Sequence, residues 1–179
     1  MGKRSDYVPI ARDKYFTPKE AVLPLRGLLG TGFTFCEPCA GDGRLVGHLE
    51  ELFEAHCFLP MDVEPNADWI LEGDANLLSS DDLQYCEMIV TNPPFTWSVL
   101  KPLMEKFISL APTLLLLPAD SMHNKRMAPF LKDCVWIKSI RRVKWIEGSK
   151  GAGVDNFCWY MFDKNKAVDE PTVFYGSDV

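Results

Sequence analysis

Met88-Ile89-Val90-Thr91-Asn92-Pro93-Pro94-Phe95 is the stretch on which the reading of this chain turns. Its apolar head, Met88-Ile89-Val90, predicts a buried strand. Pro93 and Pro94 lack the backbone N–H that a sheet ladder needs, so the strand stops where Asn92 begins. A polar amide, rigid proline rings and a phenyl group are thereby presented at a strand's C-terminal end. In an open α/β sheet, ligands bind in the crevice outside that end. The bland alternative is a turn that only terminates the strand.

Strand and helix signals alternate outward from this point. Downstream, Leu100, Leu103, Met104, Phe107 and Ile108 share one face of a helix over about residues 97–110. Leu114-Leu115-Leu116-Leu117, closed by Pro118, reads as a central strand buried on both faces. Helical residues follow near 123–131, then strand material at Val135-Trp136-Ile137 and over 140–146, then a glycine-rich loop over 148–153. Phe157-Cys158-Trp159-Tyr160-Met161-Phe162 makes a last strand, and the polar tail carries one more apolar cluster, Val173-Phe174-Tyr175.

Upstream, Thr17, Pro18 and Glu20 form a capping-box pattern that predicts a helix running to about Leu29, where Gly30 and Gly32 end it. Phe33-Thr34-Phe35-Cys36 is the first strand. The turn Glu37-Pro38-Cys39-Ala40-Gly41-Asp42-Gly43 leads into a helix marked by Leu45, Val46, Leu49, Leu52 and Phe53. Short strands are predicted at 57–61 and at Trp69-Ile70-Leu71. Residues 1–14 read as a polar surface arm, and residues 15–179 as a single domain built as a three-layer α/β sandwich.

At 179 residues, with charged residues a quarter of the total, the chain has an ordinary globular composition. It has no apolar run of about 18 residues and no signal-peptide core after Met1, so a cytoplasmic protein without membrane contact is expected. A net charge of −6 argues against strong stand-alone binding to nucleic acid unless a local patch overrides it. The six cysteines are scattered and read as reduced, mostly buried thiols. Cys36 and Cys39 are spaced as a zinc half-site, but no second pair completes four ligands, and no metal is expected.

The turn over 37–43 lies between a strand and a helix, where Gly41 and Gly43 let a ligand approach the backbone. A glycine turn of this kind is also commonly structural. Asp62, about 20 residues further on at the end of the next strand, is placed to take ribose hydroxyls. Asp74, after the third strand, is placed for a purine amino group. Successive strand-end carboxylates favour a nucleoside-type cofactor. At Asn92 the side-chain oxygen, with the carbonyl of Pro93, offers acceptors for the protons of an amine conjugated to a ring, on which Phe95 could stack. A nucleobase carrying that amine would have to arrive flipped or single-stranded.

With these residues in place, the sequence resembles the class I S-adenosylmethionine-dependent methyltransferases, and within them the DNA adenine-N6 group, over about residues 15–162. The resemblance implies a Rossmann-like sandwich with a mostly parallel seven-stranded sheet and a C-terminal antiparallel strand. It implies S-adenosylmethionine as cofactor, held by Tyr15, Phe16 and Thr17 at its methionine part, by Glu37, Pro38, Ala40, Gly41 and Gly43, by Asp62 at the ribose, by Asp74 and Ala75 at the adenine, and by Asn92. The Asn-Pro-Pro-aromatic motif of the family falls on Asn92, Pro93, Pro94 and Phe95, which implies direct methyl transfer to an exocyclic amine with no cysteine nucleophile. The motif order is similar to the gamma arrangement and to small stand-alone phage enzymes, protective against restriction or regulatory.

Family members usually carry a target recognition domain, and here about 17 residues follow Phe162. Low sequence specificity, short specificity loops or a partner protein are therefore expected. Arg141, Arg142, Lys144 and Lys150, with Lys138 and Trp145 near them, are the candidates for touching DNA phosphates. Alternating Lys and Arg also serve simply to block edge pairing. An RNA base or a protein glutamine remains an alternative acceptor, and a non-catalytic interaction module an alternative of another class.

Overall fold

The computed structural model describes residues 15–145, 153 and 155–177. The expected N-terminal arm, Lys150 and most of the glycine-rich loop lie outside them. A single eight-stranded sheet has the order β3-β2-β1-β4-β5-β7-β6-β8. The strands are β1 (Thr34–Glu37), β2 (His56–Asp62), β3 (Leu71–Glu72), β4 (Met88–Thr91), β5 (Thr113–Pro118), β6 (Cys134–Arg142), β7 (Asn156–Phe162) and β8 (Val173–Tyr175). Pairing from β3 through β5 is parallel, and β7 is antiparallel to both of its neighbours. β6 therefore points the same way as β5, which brings the start of β7 and the ends of β4, β6 and β8 to one rim of the sheet.

Side-chain alternation divides the core into two layers. Cys36, Ile89, Leu115, Leu117, Tyr160 and Phe162 face α3 (Trp97–Leu110). Phe35, Val90, Leu114, Leu116 and Trp159 face α1 (Lys19–Val22) and α2 (Arg44–Phe53). β4 and β5 are buried along nearly their whole length, as continuous apolar strands in the middle of a parallel sheet must be. Full burial of a side chain such as Phe35 contributes about 1.5–3 kcal/mol. Among the described residues, no helix is long and apolar enough to cross a membrane.

The structure departs from the sequence reading in several places. The sheet has eight strands rather than seven: Val173–Tyr175 pairs in parallel with β6, where Thr172 donates its hydroxyl to the Cys134 carbonyl at 2.7 Å. All β8 side chains are exposed, so no burial pattern could announce it. The first helix is also shorter than expected. α1 ends at Val22 and passes into a 3₁₀ turn, Leu23–Leu25, because Pro24 has no N–H to continue the α ladder. Pro18, not Thr17, is at its N-cap, and Glu20 accepts the backbone N–H of Lys144 at 2.8 Å. The helix expected over 123–131 is two 3₁₀ turns and a short α4 (Ala128–Leu131), and the third strand is shifted to Leu71–Glu72.

Candidate active site

The turn over 37–43 is laid down by backbone bonds. Ala40 N donates to the Met61 carbonyl at 2.9 Å, and Gly43 N to the Ala40 carbonyl at 2.7 Å. Gly41 (φ 56°) and Gly43 (φ 82°) occupy the left-handed region, where a side chain would be strained. Carboxylate oxygens of Asp62 accept Gly41 N and Glu64 N, each at 2.8 Å, so the end of β2 is tied to this turn. Each of those oxygens retains a second lone pair for a ligand.

This turn borders a cavity of about 450 Å³, which lies at the C-terminal ends of β1, β2 and β4. Tyr15, Phe16, Thr17, Glu37, Pro38, Ala40, Gly41, Asp62, Asp74, Ala75 and Asn92 all line it. Gly43 does not. It begins α2 instead, and the Trp69 indole stands 2.1 Å from where a Cβ at Gly43 would be. Phe16 closes over the turn, its ring 3.2 Å from the place of a Gly41 Cβ, with the Arg44 guanidinium 5.5 Å from the ring centroid. Val99 and Leu103 of α3 complete an apolar wall that the motif reading missed: the helical spacing of Leu103 signalled only a core face, and Val99 lies off that face.

The carboxylates differ in state. Glu37 is 1% exposed and its Oε2 has no hydrogen-bond partner. Burial, then the charges of Asp62 and Asp42, holds its pKa well above the ordinary carboxylate range. Asp74 is exposed and caps a 3₁₀ turn by accepting the backbone and side-chain N–H of Asn76, which lowers its pKa. Cys39 also borders the cavity, and burial pushes its thiol up to about 12, so it is neutral and a poor nucleophile.

At the end of β4, the Asn92 amide is held by its nitrogen. Nδ2 donates to the Tyr15 carbonyl at 2.8 Å, which leaves Oδ1 buried and without a partner. Asn92, Pro94 and Thr96 face the large cavity, whereas Phe95 and Trp97 face a second cavity of about 170 Å³. Phe95 lies 5.6 Å from Phe157, which packs on Trp145 at 4.8 Å, which in turn contacts Tyr15 at 5.9 Å. Phe157 was invisible as a site residue because it sits in an apolar strand.

The basic strand is less available than its sequence implied. Lys138 is buried at 5% exposure and donates Nζ to the Gly176 carbonyl at 2.8 Å. Arg141 donates Nε to the Ser177 hydroxyl at 2.9 Å. Arg142 and Lys144 are exposed, while Lys150 lies outside the described residues.

No family model matches this sequence, and no curated protein matches it. Solved structures do. A type I restriction-modification methyltransferase subunit from Streptococcus thermophilus superposes with a TM-score of 0.59 at 11% identity, over 93% of this chain and 48% of that one. A Listeria monocytogenes protein proposed to be a class I S-adenosylmethionine-dependent methyltransferase gives 0.61 at 10% identity, over 92% and 66%. The 23S rRNA methyltransferase ErmE gives 0.53 at 9% identity, over 85% and 70%. The fold is therefore the Rossmann-like sandwich that these structures share. The chain spans about half the length of the restriction-modification subunit it matches.

Proposed function

We propose that this chain is an S-adenosylmethionine-dependent methyltransferase acting on the N6 amine of adenine in DNA, with target choice supplied by short loops or by a partner protein in the cytoplasm of a bacterial or phage-infected cell. The observation that carries this reading is Asn92: a buried amide oxygen with no partner, fixed by Tyr15 at the wall of a nucleoside-sized cavity. A buried acceptor left open in this way costs stability unless a ligand proton completes it.

The cavity's residues fit the cofactor. Its volume of about 450 Å³ lies within the ordinary range for small-molecule sites, and it combines an apolar wall with carboxylates at successive strand ends. Glu37, with its orphaned oxygen, suits a cationic group, while Asp62 and Asp74 suit the hydroxyls and amine of a nucleoside. When bound, S-adenosylmethionine supplies an electrophilic methyl group.

The protein's share of the chemistry is alignment. Asn92 Oδ1 and the Pro93 carbonyl would accept hydrogen bonds from the substrate amine and draw its lone pair out of conjugation with the ring, while Phe95 supports the ring itself. Transfer of the methyl group would leave the cofactor as a neutral thioether, and the methylated amine would lose one proton to water. Holding the amine in line with the methyl group supplies much of the rate. A high-pKa Cys39 and the absence of cysteine from residues 92–95 fit direct transfer rather than a covalent enzyme–base intermediate. The test is to incubate the protein with methyl-labelled cofactor and DNA, RNA or total protein in parallel. Label is expected in DNA; label confined to RNA or protein would replace adenine in DNA with the corresponding amine.

A further inference from the structure

We infer that the second cavity is a nucleotide subsite, in which Arg126 binds a phosphate of the substrate strand and Trp97 supports a base next to the acceptor held at Phe95. The inference rests on the reading of the substrate as a polynucleotide, and it names the residues that would recognise the strand.

Arg126 is held before any ligand arrives. Its guanidinium carbon lies 5.1 Å from the Trp97 ring centroid, and both its Nε and its backbone N–H donate to Asn124 Oδ1, each at 3.2 Å. Trp97 is itself fixed by an edge contact with Phe130 at 6.3 Å. An arginine stacked on one face and tied at Nε loses little side-chain freedom on binding an anion. Among the described residues its η nitrogens carry no hydrogen bond. Arg126 is the charged residue among those that line this cavity, in a chain of net charge −6.

The position relative to the acceptor motif gives the subsite its meaning. Asn92, Pro94 and Thr96 line the cofactor cavity, and Phe95 and Trp97 line this one, so both faces of a single segment are used. A space of about 170 Å³ bordered by Trp97, Leu100 and Pro118 has room for a planar ring, and a fixed guanidinium at its edge fits an anion. A nucleotide joins a planar base to an anionic phosphate and so offers both. A glutamine on a protein would bring neither. Of the basic residues on and after β6, Lys138 is buried against Gly176 and Arg141 is engaged by Ser177, while Arg142 and Lys144 are exposed but border neither cavity.

The test measures binding of a short single-stranded oligodeoxynucleotide of mixed sequence across a range of salt concentrations. Wild type is compared with Arg126→Ala, Arg126→Lys, Trp97→Ala and Lys138→Met, with calorimetry of S-adenosylmethionine in parallel. Arg126→Ala is expected to weaken binding about tenfold and to reduce the slope of log affinity against log salt by about one. Arg126→Lys keeps the slope but not the full affinity, and Trp97→Ala weakens binding about tenfold with the slope intact. Lys138→Met leaves the slope at the wild-type value, and cofactor affinity stays unchanged in the Arg126 variants. Arg126→Ala isotherms that overlay wild type at every salt, in a protein that still methylates DNA, overturn the subsite and leave the proposed function standing. A wild-type protein that binds no oligonucleotide and methylates none overturns both.

Discussion

The side-chain nitrogen of Asn92 donates a hydrogen bond to the backbone carbonyl of Tyr15, 2.8 Å away across 77 positions of sequence. This bond decides which end of the amide faces the cavity, because a carbonyl can receive only the nitrogen end. Replacing Asn92 with Asp removes the donor and sets a carboxylate against the Tyr15 oxygen. Loss of the bond is expected to lower stability by about 1–3 kcal/mol, read from the shift of a urea unfolding midpoint at constant slope. An Asn92→Asp protein as stable as wild type would show that the N-terminal segment does not orient the amide.

Gly43 and Trp69 form a steric pair. A Cβ at Gly43 would stand 2.1 Å from the indole, on a backbone with φ of 82°. Gly43→Ala is expected to cost about 1–2 kcal/mol from the left-handed conformation alone, plus whatever displaces the indole. Trp69→Ala in the same chain should recover the second part and not the first. A double-mutant cycle in which the two changes are additive would contradict this contact.

Glu37 makes stability pH-dependent in a defined direction. Its pKa is raised in the folded state, so the folded protein keeps this proton where the unfolded chain has lost it. Stability contributed here is full below the ordinary glutamate pKa and declines as pH rises toward the raised value. Glu37→Gln should therefore gain melting temperature relative to wild type as pH increases. A cationic ligand favours the ionised carboxylate, so cofactor binding should release a proton and tighten with pH. Calorimetry in buffers of different ionisation enthalpy reads that proton directly, and no buffer dependence would remove Glu37 from the ligand's reach.

Trp159 anchors α1 to the sheet from below. Its indole N–H donates to the Ala21 carbonyl at 2.7 Å, with both residues fully buried. Trp159→Phe keeps an aromatic ring but leaves that carbonyl unsatisfied, at a cost of at least about 1–3 kcal/mol. Since α1 directly follows Tyr15, Phe16 and Thr17, cofactor affinity should fall as well. Equal melting temperatures for the variant and wild type would exclude the bond as a structural anchor.

Periodicity made much of this molecule legible. α3 runs from Trp97 to Leu110 as its apolar spacing requires, and the leucines of β5 are buried as their continuity implies. The cavity residues were legible for a different reason: glycines, strand-end carboxylates and the paired prolines each impose a local geometry that depends little on distant contacts. What escaped was whatever tertiary contact alone decides. β8 has exposed side chains and exists because β6 offers it an edge. Lys138 reads as a surface cation, but its stem is buried and its ammonium is capped by the chain's last described turn. The stacking of Arg126 on Trp97, 29 positions earlier, is likewise made only by the fold.

The central claim is that Asn92 presents its oxygen to an adenine amine. The most direct measurement incubates wild-type and Asn92→Ala protein with S-adenosylmethionine and unmethylated DNA, digests the DNA to nucleosides and quantifies N6-methyladenine by mass. Wild type is expected to form it, and Asn92→Ala to form it about a hundredfold more slowly while still binding cofactor. Equal rates from the two proteins, or methylated product at a position other than N6, would contradict the account.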